Sequence, residues 1–182
     1  MENKCMFEKE GICYVSICNS HQECGARNKD GYPNYLTRPP VVVAVSGGFD
    51  PIHIGHIRNI KEAKKLGNKL VVILTTDEQL IKKKGFCFMP LKERKEILES
   101  IKYVDQVFIS IDKDITSAES LEIVRPNIFA KGGDRTPENM PEIEKEICKK
   151  IECKIVYNVG GKKIQSSSAL VKKGKYGGLC SG

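Results

Sequence analysis

From residue 41 onward, short apolar runs alternate with longer stretches in which apolar residues recur at helical spacing. The short runs are rich in Val and Ile, a pattern typical of strands buried in a parallel sheet. The predicted strands are VVVAV (41–45), KLVVILT (69–75), QVFIS (106–110), NIFA (127–130) and KIVYN (154–158). The predicted helices cover about 55–66, 91–102, 117–124, 141–150 and 166–173.

This alternation indicates βαβ units. The predicted fold is therefore α/β, a Rossmann-like sandwich with a five-stranded parallel sheet, in which ligands bind beyond the carboxyl ends of the strands. The composition changes at Pro39 and Pro40, because a polar, cysteine-bearing segment precedes them and the first strand follows. We expect a small Cys-rich N-terminal segment over 1–39, one α/β domain over 40–174 and a flexible tail over 175–182.

A length of 182 residues suits one buried core with a small appendage. The net charge of +7 favours anionic partners. Lysines cluster at 82–84, 162–163 and 172–173 without the arginine or aromatic interleaving that favours nucleic-acid binding. We therefore expect a small polyphosphate ligand and no nucleic acid, with solvated surface as the alternative for any single run. No apolar run approaches the roughly 20 residues of a membrane span and no apolar signal segment begins the chain, so we expect a cytoplasmic protein without a membrane partner.

The stretch SGGFDPIHIGHI directly follows the first predicted strand and contains two of the chain's three histidines. Gly47 and Gly48 allow the backbone to turn and to approach a phosphate closely. His53 and His56 are three residues apart, so on a helix they share one face. Gly55 leaves flat space against which a nucleobase can lie. Two imidazoles can donate hydrogen bonds to charge that develops at phosphorus; a surface pair or a metal half-site is the alternative.

This segment resembles the first signature of the HxGH nucleotidyltransferase superfamily, which includes glycerol-3-phosphate cytidylyltransferase and the heptose-phosphate adenylyltransferase domain. His53, Gly55 and His56 match the HxGH element in full. The resemblance continues in the same order through AKKLGNKLVV, PLKERKEILESIKYVDQV, KGGDRT and QSSSALVKK, and covers about residues 41–173. It implies that 40–174 is a nucleotidyltransferase domain.

The resemblance also implies roles for the matched residues. His53 and His56 would hold the triphosphate and stabilise the transition state at the α-phosphorus, and Lys131 of KGGD would point into the site. The serines of QSSS would grip the β- and γ-phosphates at a helix N-terminus, where anions are favoured. The implied nucleotide-binding residues are Gly47, Gly48, Phe49, Asp50, Gly55, Gly133, Asp134, Ser166, Ser167 and Ser168.

For the acceptor and its phosphate, the resemblance points to Lys64, Lys84 and Arg94. Lys64 lies two helical turns beyond the histidines and could share their face; an ordinary helix-surface lysine is the alternative. Lys84 belongs to KKKG at 82–85, expected as a loop after the second helix, and the sequence does not distinguish which of its lysines contacts phosphate. Arg94 offers a planar fork for a phosphate, with an exposed ion pair as the alternative.

The implied reaction is transfer of an adenylyl or cytidylyl group from ATP or CTP to a phosphorylated alcohol or sugar, with release of pyrophosphate. Magnesium would accompany the triphosphate, held mainly by substrate phosphates and water. The motifs leave the nucleotide and the acceptor open, and a homodimer is compatible with them. A non-catalytic nucleotide-binding or sensing module, with a metal- or redox-responsive cysteine segment, is the alternative.

Four cysteines lie in the N-terminal segment, beyond the reach of the resemblance. Cys5, Cys13, Cys18 and Cys24 fall within 20 residues of one another. In a cytosolic chain such clustering favours a structural metal, zinc before an iron–sulfur cluster. Disulfides are the competing interpretation.

Overall fold

The structure is a computed structural model that describes residues 40–133 and 135–175, together with two short strands, β1 (Glu8–Lys9) and β2 (Ile12–Cys13). The chain divides into two compact units, Met1–Pro40 and Val41–Gly182. Strands β1 and β2 pair antiparallel in the first unit. The division of the chain at 39/40 and the separate tail stay predictions, because most of the first unit and of the tail lies outside the described residues.

The second unit is built on a five-stranded sheet with the order β5-β4-β3-β6-β7. All of its pairings are parallel. The strands are β3 (Val42–Gly47), β4 (Lys69–Leu74), β5 (Gln106–Ile109), β6 (Ile128–Gly132) and β7 (Lys154–Val159). The chain runs outward from β3 through β4 to β5 and then returns to β6 on the other side. A crevice therefore opens between β3 and β6 at their carboxyl ends, which is where ligands bind in sheets of this kind.

Helices cover both faces of the sheet, and the sheet separates the core into two clusters. They are α1 (Ile54–Lys64), α2 (Asp77–Lys84), α3 (Leu91–Glu99), α4 (Ala118–Val124), α5 (Glu142–Lys150) and α6 (Ser167–Lys175). Side chains of a strand alternate between its two faces. Val43 and Val45 accordingly pack in one cluster with Ile60 of α1, whereas Ala44 packs in the other with Leu121 of α4. The predicted Rossmann-like α/β fold is confirmed.

The structure corrects the prediction of a loop at 82–85. Lys82, Lys83 and Lys84 form the last turn of α2, which begins with a reciprocal cap: the side chain of Thr76 accepts from the backbone N–H of Gln79, and the side chain of Gln79 accepts from that of Thr76. The helix ends at Gly85, whose φ of 81° provides a left-handed C-cap. These two caps, and not the run of like charges, determine where the helix begins and ends. None of the described helices is long and apolar enough to cross a membrane.

Candidate active site

A cavity of about 620 Å³ opens at the carboxyl edge of the sheet, between the ends of β3, β6 and β7 and the first turns of α1 and α6. Its wall carries a strong excess of positive charge. The cationic side chains on it are Arg58, Lys83, Lys84, Lys131, Arg135, Lys162 and Lys163, and among the described residues the carboxylate on it is Glu144. A cavity with this balance of charge attracts a polyanion.

The histidine pair lies at the start of α1 on this wall. His53 is the N-cap residue, and its Nδ1 accepts a hydrogen bond from the backbone N–H of Gly55 at 3.1 Å. The Nδ1 of His56 accepts from the backbone N–H of His53 at 3.3 Å. Because each Nδ1 acts as an acceptor, the proton of each neutral ring is on Nε2. Both imidazoles are thereby prepared to donate from Nε2.

Ring packing fixes the orientation of the pair. The two imidazoles stack with centroids 3.8 Å apart and an angle of 18° between their planes. Phe49 packs against His56 with centroids 4.8 Å apart, from a backbone with φ of 50° in the left-handed region. A side chain at Gly55 would come within 3.0 Å of the His53 ring, so it would press on the histidine and displace it from this position. Burial lowers the pKa of His53, and the positive charges of Lys163 and Lys84 lower it further. The ring is therefore neutral at pH 7.

Lys131 reaches the cavity wall from the end of β6. Its side chain is only 9% exposed, and its Nζ lies 2.8 Å from Oε2 of Glu144 in α5. The other carboxylate oxygen of Glu144 accepts from the backbone N–H of Ser117 at 3.0 Å. The ammonium also lies 4.0 Å from the centroid of the Phe129 ring. Burial lowers the pKa of Lys131, and the Glu144 charge opposes that shift.

The three serines at the start of α6 line the cavity and differ in their contacts. Ser166 accepts through Oγ from the backbone N–H of Ala169 at 3.2 Å, as a capping residue does. Ser167 donates to the carbonyl oxygen of Pro51 at 2.9 Å and so ties α6 to the turn that precedes the histidines. Ser168 also lies on the cavity wall.

The three lysines at the end of α2 also differ in their contacts. Lys83 and Lys84 line the cavity, whereas Lys82 donates to the carbonyl oxygen of Lys113 at 3.2 Å and is not part of the lining. Burial lowers the pKa of Lys84, and the carboxylate of Asp50 opposes that shift. Gly47, Phe49, Gly55 and Gly133 are the remaining predicted residues that the described structure places on the cavity wall.

Arg94 is not on the cavity wall. It is 1% exposed, and all three of its guanidinium nitrogens donate to protein groups. Nη1 donates to the carbonyl oxygens of Gly48 and Thr75, each at 2.8 Å, and Nε donates to that of Met89 at 2.9 Å. Nη2 pairs with the carboxylate of Asp77. Arg94 therefore joins the turn at Gly48 to α2 and α3. It does not make the contact with the acceptor's phosphate that the resemblance implied.

Three other predicted residues also lie elsewhere. Asp50 is fully buried, and its carboxylate accepts from the backbone N–H groups of Phe88 at 3.0 Å and Met89 at 2.7 Å. Gly48 lies so close to the Leu80 side chain that an added Cβ at Gly48 would come within 2.6 Å of it. Lys64 pairs with Asp105 just before β5, at the amino edge of the sheet. The eight residue steps from His56 to Lys64 span about 12 Å of helix, which places the lysine far from the carboxyl edge of the sheet.

Some of the predicted residues fall outside the described part of the chain. They are Asp134, Cys5, Cys18 and Cys24, as well as the side chain of Cys13. In the part that the structure describes, no group of three or more His, Cys, Asp or Glu side chains is arranged to hold a metal ion.

Sequence reasoning missed the loop after β7. Gly160 has φ of 86°, and a side chain there would come within 2.7 Å of the Cα of Asn59. A side chain at Gly133 would collide with the carbonyl oxygen of Gly161 at 1.9 Å. The glycines let two loops and α1 close around the cavity, and Asn59 secures the contact by donating to the carbonyl oxygen of Val159 at 2.8 Å. The available signal was a glycine pair followed by two lysines directly after the last predicted strand.

The fold and the cavity define an α/β protein with a Rossmann-like sheet and a cationic site for phosphate-bearing ligands at its carboxyl edge. Residues 44–173 match the family model described as cytidylyltransferase-like, and the chain belongs to this family. The membership that the HxGH resemblance predicted is thus confirmed.

Curated relatives carry two names. The chain is 42% identical over 94 residues to the FAD synthase of Pyrococcus abyssi, an alignment that covers 51% of this chain and 63% of that protein. It is 35% identical over 134 residues to the FAD synthase of Methanothermus fervidus, covering 70% of this chain and 90% of that one. It is 38% identical over 106 residues to the bifunctional protein HldE of Syntrophotalea carbinolica, covering 57% of this chain and 21% of HldE.

A solved structure supports the same architecture. The lipopolysaccharide core biosynthesis protein from Thermoplasma volcanium GSS1 superposes with a TM-score of 0.57 at 30% sequence identity. The match covers 65% of this chain and 95% of that protein.

Proposed function

We propose that the protein is a nucleotidyltransferase that moves an adenylyl group from ATP to the phosphate of a small acceptor and releases pyrophosphate. The observation that carries the proposal is the histidine pair: two stacked imidazoles, each with Nδ1 held by a backbone N–H, lie on the wall of a cationic cavity. Adenylyl transfer is favoured over cytidylyl transfer because the relatives above include FAD synthases, whose product contains an adenylyl group.

In the proposed reaction, an oxygen of the acceptor's phosphate attacks the α-phosphorus of the nucleotide. The bond from that phosphorus to the oxygen bridging to the β-phosphate breaks, and pyrophosphate leaves with the bonding electrons. The Nε2–H groups of His53 and His56 donate to the charge that develops around the α-phosphorus, where fixed donors lower the barrier most. Magnesium enters with the triphosphate as part of the substrate, consistent with a wall that carries cations and hydroxyls.

Two groups of residues on the wall suit the two substrates. Lys162, Lys163 and the start of α6 offer cations, a hydroxyl and helix N–H groups for the β- and γ-phosphates. Lys83 and Arg135 carry charges that act on Lys131, and these three residues can hold the acceptor's phosphate.

We assign the acceptor to the class of phosphate monoesters that carry an aromatic ring system, with FMN as the first to test. Ile115 and Ile164 line the cavity and are 57% and 48% exposed, so they offer apolar surface beside the cations. An apolar ring covers such surface, whereas a sugar does not. The name FAD synthase among the relatives points to the same acceptor.

The test is a matrix of ATP, CTP, GTP and UTP against FMN, sugar phosphates and glycerol phosphate, with magnesium and pyrophosphate release as the readout. We expect release with ATP and one acceptor, and its loss in His53→Ala. Lys65→Ala is the matched control, since this exposed residue of the same helical region pairs with Glu62. Tight nucleotide binding without release from any pair would instead support a nucleotide-binding or sensing module.

A further inference from the structure

The buried ion pair between Lys131 and Glu144 is part of the cavity wall and not of the hydrophobic core. Both residues line the cavity, and their side chains are 9% and 4% exposed. Replacing a buried ion pair by apolar residues is often neutral or stabilising, so a pair in this place is weak evidence for a role in stability. Its place on the wall of the same cavity as His53 and His56 is better evidence for a role in function.

Three elements hold the carboxylate of Glu144 in place. Glu144 itself lies in the first turn of α5, one oxygen accepts from the backbone N–H of Ser117 before α4, and the other contacts Lys131 at the end of β6. A carboxylate held at both oxygens cannot turn away from the ammonium. One of the three donors on the Lys131 ammonium is directed at Glu144, and the ammonium packs against the Phe129 ring, while the residue also lines the cavity.

The charged neighbours of Lys131 come from several elements. Arg135 follows β6 and Lys83 lies in the last turn of α2, and both repel a positive charge on Lys131. Cys148 lies one turn beyond Glu144 in α5 and is the further titratable group that faces it. Glu144 supplies the opposing negative charge at contact distance.

We propose that Glu144 is a positioning residue that fixes the place and the positive charge of Lys131 for the reaction. The proposal rests on the proposed function and deepens it. Glu144 itself does not contact the reacting phosphorus. It directs the ammonium at the transferred or accepting phosphate and keeps it charged among other cations.

The first test does not depend on activity. Lysine side chains labelled with ¹³C are titrated by NMR in the full chain, and the Lys131 signal is assigned by its loss in Lys131→Arg. Because the Glu144 charge raises the pKa of Lys131, Glu144→Gln should lower the midpoint of this titration. The amide of glutamine still offers an acceptor to Ser117. Glu142→Gln is the matched control, since Glu142 lies in the same helix, is 72% exposed and pairs with Lys145.

The second test is the pH profile of pyrophosphate release. A neutral Lys131 no longer stabilises the phosphate that it contacts, so the alkaline limb of the kcat profile should move to lower pH in Glu144→Gln by the same amount as the NMR midpoint. Adding Lys131→Arg to Glu144→Gln should restore activity at high pH, because a guanidinium remains charged there. Glu142→Gln should leave both the midpoint and the limb unchanged.

The outcomes separate the two proposals. An unchanged Lys131 midpoint in Glu144→Gln, or a shifted midpoint with an unmoved alkaline limb, overturns the positioning role even if the enzyme is active. A wild-type protein that releases no pyrophosphate with any substrate pair overturns the proposed function, and the NMR titration then still measures whether Glu144 controls the charge of Lys131.

Discussion

Replacing Arg94 should damage the fold and not the recognition of the acceptor. Its buried guanidinium donates to the carbonyl oxygens of Gly48, Thr75 and Met89 and pairs with Asp77. Arg94→Met keeps much of the apolar stem but leaves these acceptors without their donor. A buried acceptor left unsatisfied costs about 1–3 kcal/mol, and removal of one partner of a buried pair costs about 3–5 kcal/mol. Because Asp77 is 41% exposed and water can reach it, we expect Arg94→Met to lower the free energy of unfolding by about 3–4 kcal/mol in total.

The assay is urea unfolding of the full chain followed by far-ultraviolet circular dichroism, which suits a protein without tryptophan. Lys95→Met is the matched control, because Lys95 lies in the same helix and makes an exposed pair with Glu99, worth less than about 0.5 kcal/mol. Arg94→Lys should also be destabilised, since an ammonium cannot reproduce the fork. A variant Arg94→Met that unfolds at the wild-type urea concentration but has a raised KM for the acceptor would refute this reasoning and return Arg94 to the binding site.

Further predictions concern the glycines after β7, the pH dependence of the stability that Asp77 contributes, and two cationic residues on the cavity wall. Gly160→Ala should destabilise the protein by more than about 2 kcal/mol in urea unfolding, because its Cβ would press on Asn59, whereas Gly161→Ala, with φ of 78° and open space around its Cβ, should cost only about 1 kcal/mol. Equal losses would contradict the close approach seen at Gly160. Burial raises the pKa of Asp77, but hydrogen bonds from Arg94, Leu91 and Cys87 outweigh it and depress the pKa below its ordinary value. The stability that Asp77 contributes over Asp77→Asn should therefore be complete at neutral pH and disappear as the pH falls through that depressed pKa; a difference that stays constant in urea unfolding from pH 7 to pH 2 would be inconsistent with it. Arg135→Ala should raise the KM for the acceptor by about 10-fold or more with little effect on that for ATP, and Lys162→Ala should do the reverse, since a charge-assisted hydrogen bond is worth about 1.5–3 kcal/mol; steady-state kinetics with each substrate varied in turn would expose a common effect on both.

The strand positions and the sheet followed from sequence because a buried parallel strand needs an apolar residue at almost every position. VVVAV predicted 41–45, and β3 spans Val42–Gly47. The run KKK at 82–84 was harder, because like charges suggest a loop while the cap at Thr76 and the glycine at 85 make a helix. The capping residues determine the structure there, and a capping residue is a weaker signal in a sequence than hydrophobic periodicity.

The candidate site was predictable where a motif fixes its own geometry. His53 and His56 are three residues apart on one chain segment, so a single helix start brings them together. Arg94 and Asp50 could not be placed, because their partners come from carbonyl and N–H groups up to 46 residues away in sequence. Glu144 and Arg135 reach the cavity only through the packing of α5 and the loop after β6, for which spacing along the chain gives no signal.

We expect His56 to serve the reaction as a hydrogen-bond donor from Nε2 to phosphate, beyond the contact that its Nδ1 makes in the helix cap. His56→Asn separates the two roles, because the asparagine oxygen can replace Nδ1 as the acceptor for the backbone N–H of His53, while nothing replaces Nε2. The measurement is transfer of ³²P from the α-phosphate of ATP to FMN, with urea unfolding of the same samples. We predict unchanged stability and a fall in kcat of about 100-fold or more. Labelled product formed at the wild-type rate by His56→Asn would contradict the account.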